Sequence, residues 1–334
     1  MLHLRLIVPS DRTSAVLTLL EGDASVTHLV LLSGAARDPV GDVILCDVAR
    51  EGASAVLSAL RDLNIPAAGS IAAENIDLLM SDAGDKAERD APGLSNDAVV
   101  WEEVEQRVSD EIELSATYLV FLTVATIIAA IGVLLDQPIL IVGAMVVGPD
   151  FGPLAALCVG MVQRRRKMAV RAAVALVVGF PVAMVLTLAA VWLLAAADLV
   201  SRSMLLAERP LTDFIWRPDA LSWVVGFLAG IAGIVSLTSA KSGALVGVLI
   251  SVTTVPAAAN VSVAVAFGVF DEAWGSTVQL VVNVAAIIVG GVLTLLVQRM
   301  FWRRRALQPQ RTSTARRVAA RARREARQSG RAAE

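Results

Sequence analysis

Six apolar stretches between residues 118 and 302 constrain this chain more than any other feature, because two of them are broken at their middle. A bilayer core is crossed by roughly 20 apolar residues, and the stretches 118–135, 138–162, 172–197, 220–240, 242–270 and 277–302 meet that requirement. The second carries Gly148-Pro149-Asp150-Phe151-Gly152-Pro153 at its centre, and the fifth carries Thr253-Thr254-Val255-Pro256. Proline removes a backbone donor and glycine weakens a helix, so both sequences free backbone groups at a depth without lipid-side partners. Such breaks survive only where protein or a water-filled cavity completes them. Paired breaks in the two halves of a membrane protein point to a solute or ion site between them.

The apolar share of 56% and the mean hydropathy of +0.68 exceed ordinary globular values, and the surplus lies after residue 116. A net charge of −2 conceals a segregation: −13 over residues 1–116, +2 over 117–302 and +9 over 303–334. This divides the chain into an acidic head, a membrane body and a basic tail. Basic connections face the cytoplasm. Gln163-Arg164-Arg165-Arg166-Lys167, Lys241 and Arg303-Arg304-Arg305 alternate with the non-basic Asp136-Gln137 and Asp271-Glu272. The expectation is six spans in the cell inner membrane with both termini cytoplasmic. Residues 1–12 do not resemble a secretory signal.

Residues 2–8 alternate as a strand, and Pro9-Ser10-Asp11 offers a cap for a helix over 15–20. Strands are expected at 26–32 and 43–48 around a turn-rich 33–42, a helix at 51–63 and a weak strand at 68–73. The order β-α-β-β-α-β matches a ferredoxin-like unit over 1–80. Such a head binds a regulator, dimerises or is simply structural. Residues 81–96 read as a linker, part of a connecting segment to residue 116. An acidic helix capped by Asp97 then presents Trp101, Val104, Val108 and Ile112 on one face. Its acidity disfavours anionic lipid, so its expected partner is a second subunit of a homo-oligomer or the basic 164–167 loop. A plain connecting helix is the alternative.

The broken stretches also invite superposition. Ile141-Val142-Gly143-Ala144-Met145-Val146 precedes Pro153 as Leu245-Val246-Gly247-Val248-Leu249-Ile250 precedes Pro256. Each lies in the second span of a three-span unit, the pattern of a 3+3 inverted repeat. The run from Gly143 to Leu154, the Val255-Pro256-Ala257-Ala258 element and the small α/β head together resemble the family catalogued as domain of unknown function 389. These are multi-pass prokaryotic membrane proteins, and the resemblance covers about residues 115–300. It implies a polytopic membrane protein and no particular activity. The chain departs from the family pattern in having Pro256 alone where a Pro-Pro pair is expected, and in the acid at Asp150.

Asp150 is the sharpest candidate, because an ionised carboxylate at the bilayer centre costs roughly 2.5–3.5 kcal/mol. It can coordinate a cation, carry a proton, or cap the helix that restarts after the break. Gly148, Pro149, Gly152 and Pro153 shape its surroundings, and carbonyls near Val147 and Gly148 offer further oxygen ligands. Thr253, Thr254 and Asn260, near Pro256, can turn oxygens towards it across the repeat interface. The bland reading of these threonines is a bond to their own helix's carbonyls. Asn283 suits interhelical hydrogen bonding, and Gly226, Gly230 and Gly233 form a small-residue packing face. Lys241 suits an interfacial anchor.

The pattern points to a secondary transporter or channel for a small ion or solute, with its site at the helix breaks. The alternative is a membrane-anchored sensor or scaffold whose head binds a ligand or partner. No paired acids, nucleophile–base pair or phosphate loop lies in the spans, so no enzyme and no cofactor is expected. Cys46 and Cys158 fall in different regions, and His3 and His28 both lie in the head. The tail around Arg316-Arg317 and Arg323-Arg324 suits membrane lipid or a disordered topology anchor. It carries no aromatic for base stacking, so no nucleic acid is expected.

Overall fold

The computed structural model describes residues 1–91, 99–239 and 254–306. Thr253, Lys241, Asp97, the first part of the fifth apolar stretch and the basic tail beyond 306 lie outside the described residues. Met1–Val100 and Trp101–Gln298 form two compact units.

The first unit is built on the alternation of its opening strand, β1 (Leu2–Val8), which buries Leu2, Leu4, Leu6 and Val8 on one face. Helix α1 (Thr13–Gly22), strands β2 (Val26–Arg37) and β3 (Val40–Val48), helix α2 (Arg50–Asp62), the short α3 (Ile65–Ala68) and strand β4 (Ser70–Asn75) follow. The sheet runs β2-β3-β1-β4 with every neighbouring pair antiparallel. Val16 and Leu20 of α1 and Val56 and Leu60 of α2 close over the buried face of β1 and β3. The histidines His3 and His28 share one carboxylate, each placing Nδ1 2.7 Å from Asp47.

Three local expectations change here. The region 33–42 is mostly strand, because a register shift between Leu32 and Ala36 lets the β2–β3 pairing continue to Arg37 opposite Val40. The side chains of Pro9-Ser10-Asp11 do not cap α1, which follows Arg12 without a side-chain cap. The linker contains a helix, α4 (Asp82–Asp90), capped by Ser81, whose hydroxyl accepts from the Gly84 amide at 3.3 Å.

The second unit opens with α5 (Trp101–Glu111), where Val104 and Val108 are buried and Ile112 just beyond it is buried too. Glu105 meets Arg165 at 2.8 Å, so the acidic helix pairs with the basic loop. Then come α6 (Ala116–Leu134), α7 (Pro138–Val147), α8 (Phe151–Val162), α9 (Arg166–Ala196), α10 (Arg202–Leu206), α11 (Ala220–Thr238), α12 (Thr254–Ala266) and α13 (Phe270–Ala306). Among the described residues, α6, α9, α11 and α13 are long and apolar enough to cross a bilayer. The pair α7–α8, bent by 54° at its break, makes five if it is one span.

The surface of this unit is the inverse of a water-soluble protein's. Val177 is 72% exposed and Leu193 74%, whereas Asp150, Asn260 and Asn283 are fully buried. A solvent of lipid explains this arrangement and water does not. The chain is a multi-pass membrane protein. Helix α12 sits at the centre, with every residue from Thr254 to Ala264 buried. At one end three connections meet: the Thr212 hydroxyl donates to Asp136 at 2.9 Å, and Arg209 pairs with Glu272 at 2.5 Å.

Glycine sets the closest helix approach. A side chain at Gly230 on α11 would run into the Ile287 carbonyl of α13, and a Cβ at Gly226 would lie 3.0 Å from that of Ala286. The small-residue face thus packs helix on helix.

Candidate functional site

Helix α7 ends at Val147, Gly148 and Pro149 carry the chain across the break, and Asp150 stands immediately before α8. Gly152 and Pro153 lie buried in the first turn of α8. The position is that of a helix cap, yet the Asp150 side chain makes no capping hydrogen bond. Instead Oδ2 accepts a short hydrogen bond from the Thr254 hydroxyl, at the start of α12. Oδ1 has no partner among the described residues. The carboxylate therefore looks across to another helix and leaves one oxygen open.

Thr254 behaves unlike four other threonines of the membrane unit. Thr126, Thr238, Thr277 and Thr294 each donate to the carbonyl four residues earlier in their own helix. The Thr254 hydroxyl goes to Asp150, on another helix pair, rather than to a carbonyl of its own helix. The N-terminal end of α8 carries partial positive charge, and the Asp150 carboxylate stands at it.

Asn260 goes elsewhere. Its amide nitrogen donates to Glu272 at 3.0 Å and lies 2.7 Å from the Ser276 hydroxyl. It lies on α12, six residues after Thr254, about 9 Å along the axis and on a different face. Glu272 accepts from Asn260 and from Arg209 on the same oxygen, Oε1. Both members of this ion pair are buried, at 7% exposure for Arg209 and 5% for Glu272.

The sequence reading missed this second cluster. It took Asp271 and Glu272 together as an acidic connection, whereas Asp271 is exposed and Glu272 turns inward. The available signal was spacing: Glu272, Ser276, Gln279 and Asn283 recur at intervals of four, three and four, one helical face. Asn283 Oδ1 accepts from Gln279 Nε2 of the same helix at 3.5 Å, and the Asn283 backbone lies beside Gly226 of α11. A cavity of about 490 Å³ opens beside the ion pair, bordered by Arg209, Asp213, Trp216, Arg217 and Glu272. No group of three metal-ligating side chains occurs among the described residues.

Residues 145–289 match the model of the family described as Domain of unknown function (DUF389), a segment that contains Asp150, Thr254, Asn260 and the polar face of α13. The chain is 24% identical over 195 residues to the uncharacterized protein MJ0678 of Methanocaldococcus jannaschii. The matched segment is 58% of this chain and 58% of that relative, so the chain spans less than two thirds of the relative's length. No solved structure matches.

Proposed function

We propose that this chain, whose membrane part belongs to the DUF389 family, is a secondary transporter or channel for a small cation, the proton included. The observation that carries the reading is the Asp150 carboxylate, fully buried, held by Thr254 through one oxygen and open at the other. No basic side chain neutralises it among the described contacts, so a cation or proton is the occupant its charge calls for. The substrate site comprises Asp150, Thr254 and the break formed by Gly148, Pro149, Gly152 and Pro153. Thr253, adjacent to Thr254 in sequence, and Pro256 belong to the same break region.

Two features support a 3+3 inverted repeat with six spans. Pro153 lies three residues after Asp150 and Pro256 two residues after Thr254, so each proline adjoins the bond that joins the two stretches. The Asp136, Thr212 and Arg209–Glu272 contacts gather the first, third and fifth connections at one end, as alternating crossings require. With basic residues on the even connections, that end is periplasmic and both termini are cytoplasmic, in the inner membrane. The antiparallel order β2-β3-β1-β4 supports a ferredoxin-like head.

The test is charge movement from proteoliposomes on a supported membrane, under pH jumps and then a panel of inorganic cations. Wild type should give a substrate-dependent current that Asp150→Asn loses while eluting as the same folded species. Full current in that variant would remove Asp150 from the mechanism. A ligand for the head without flux would favour the membrane-anchored sensor.

A further inference from the structure

The polar face of α13 has no role in the site around Asp150. Glu272, Ser276, Gln279 and Asn283 are all at least nine-tenths buried and share one side of the helix, over about 16 Å of its length. Asn260 faces them from α12. Four atoms of this cluster are buried without a partner: Asn260 Oδ1, Gln279 Oε1, and Arg209 Nε and Nη1.

Unsatisfied buried polar atoms are costly and are normally completed by a partner or by water. The two oxygens here need donors and the two guanidinium nitrogens need acceptors. Water is the small occupant that supplies both. The cavity next to Arg209 and Glu272 gives it an entrance. At the far end the face closes: Ala286 and Ile287 continue the same side of α13 and meet Gly226 and Gly230 of α11 with no room for a further methyl group.

We propose that the cavity, Asn260 and the Glu272–Ser276–Gln279–Asn283 face form a water-filled path into the membrane unit, gated by the Arg209–Glu272 pair. The proposed path ends where α11 packs on α13. It lies apart from the Asp150–Thr254 bond, and α12 carries a residue of each. Its occupant is water, and hydrated polar solutes enter by it. The ion pair spans the entrance, bridging the 198–219 connection to α13, so its rupture widens the way in.

Thiol accessibility tests this in proteoliposomes, without requiring any transported substrate. Single cysteines at Ser276, Gln279 and Ala286 are introduced into full-length protein carrying Cys46→Ser and Cys158→Ser. A small charged methanethiosulfonate reagent is then applied to both sides. Cysteines at 276 and 279 should react roughly tenfold faster or more than one at 286, since reaction needs the thiolate in contact with water. Adding Glu272→Gln should raise the rate at 276 further and leave 286 unchanged. Should the cysteine at 276 disturb folding, judged by elution profile, the one at 279 carries the comparison. Rates at 276 and 279 as low as at 286, with and without Glu272→Gln, would overturn the proposal. A failure of flux under the pH jumps and cation panel would leave these rates untouched, so the two readings fall separately.

Discussion

The hydroxyl of Thr254 is hydrogen-bonded to the carboxylate of Asp150 across 104 residues of chain, and Asp150 stands immediately before α8. This bond ties the break between α7 and α8 to α12. It also replaces the cap that Asp150 would be expected to form with its own helix.

Thr254→Val removes the donor and leaves a buried carboxylate with neither oxygen bonded among the described contacts. A hydrogen bond to a charged group contributes about 1.5–3 kcal/mol, so the variant should unfold at lower temperature by that order. Thr254→Ser keeps the hydroxyl and should recover most of the loss. Differential scanning fluorimetry of the purified protein in detergent measures both. Equal stability of the Val and Ser variants would mean that the bond contributes nothing.

The Arg209–Glu272 pair should behave as a buried ion pair. Arg209→Met or Glu272→Gln alone leaves the other buried charge without its partner, at a cost of up to about 3–5 kcal/mol, less as water from the adjoining cavity reaches it. The double variant should be less destabilised than the two single changes added together. A double-mutant cycle in denaturant or heat reads the coupling directly. Additive losses would show that the two side chains do not depend on one another.

Gly230→Ala places a methyl group against the Ile287 carbonyl, where backbone cannot yield as a side-chain tip can. Overpacking of this kind costs about 1–3 kcal/mol. Gly143→Ala meets nothing within 4 Å and should be neutral, apart from a small gain in helix propensity. Thermal stability of the pair of variants in detergent separates packing from propensity.

In the head, the Thr13 hydroxyl at 2.5 Å and the Gly34 amide at 2.7 Å both donate to Asp42 and hold its carboxyl below the usual range. A carboxylate whose folded pKa is lowered stabilises above its unfolded value and loses that contribution as pH falls through the folded one. The head should therefore weaken on acidification below the ordinary aspartate range, and Asp42→Asn should flatten that part of the profile. Circular dichroism melts of the full chain at a series of pH values give the comparison.

Burial, with the negative charge of Asp47 added, pushes the Cys46 thiol up to about 12. The thiolate is the reactive form, so Cys46 should resist maleimide near pH 8 in the folded protein and react once the chain is denatured. Labelling followed by mass spectrometry distinguishes the two states.

Much of the architecture was legible because it is encoded locally. Residues 2–8 alternate, and β1 follows that alternation residue by residue. The Gly148-Pro149 pair interrupts a helix whatever surrounds it, and the structure breaks between Val147 and Phe151. The 33–42 turn was misread because its strand character comes from pairing with β3 across a register shift, not from its own composition. Ser81 looked like linker and is a helix cap. Glu272 looked like loop charge because hydropathy averages a buried acid with its exposed neighbour Asp271.

The sequence by itself determined that the chain enters a membrane, that the 138–162 stretch is interrupted at Gly148-Pro149, and that a carboxylate stands at that interruption. These follow from runs of apolar residues and from backbone chemistry within a turn or two of each position. Only the tertiary structure decided that Thr254 takes Asp150, that Asn260 turns to Glu272 and Ser276, and that Arg209 reaches back to complete the pair. Those choices depend on the rotation of each helix about its axis and on where glycines let two helices close. Such quantities are set by packing among residues far apart in the chain, and no local window contains them.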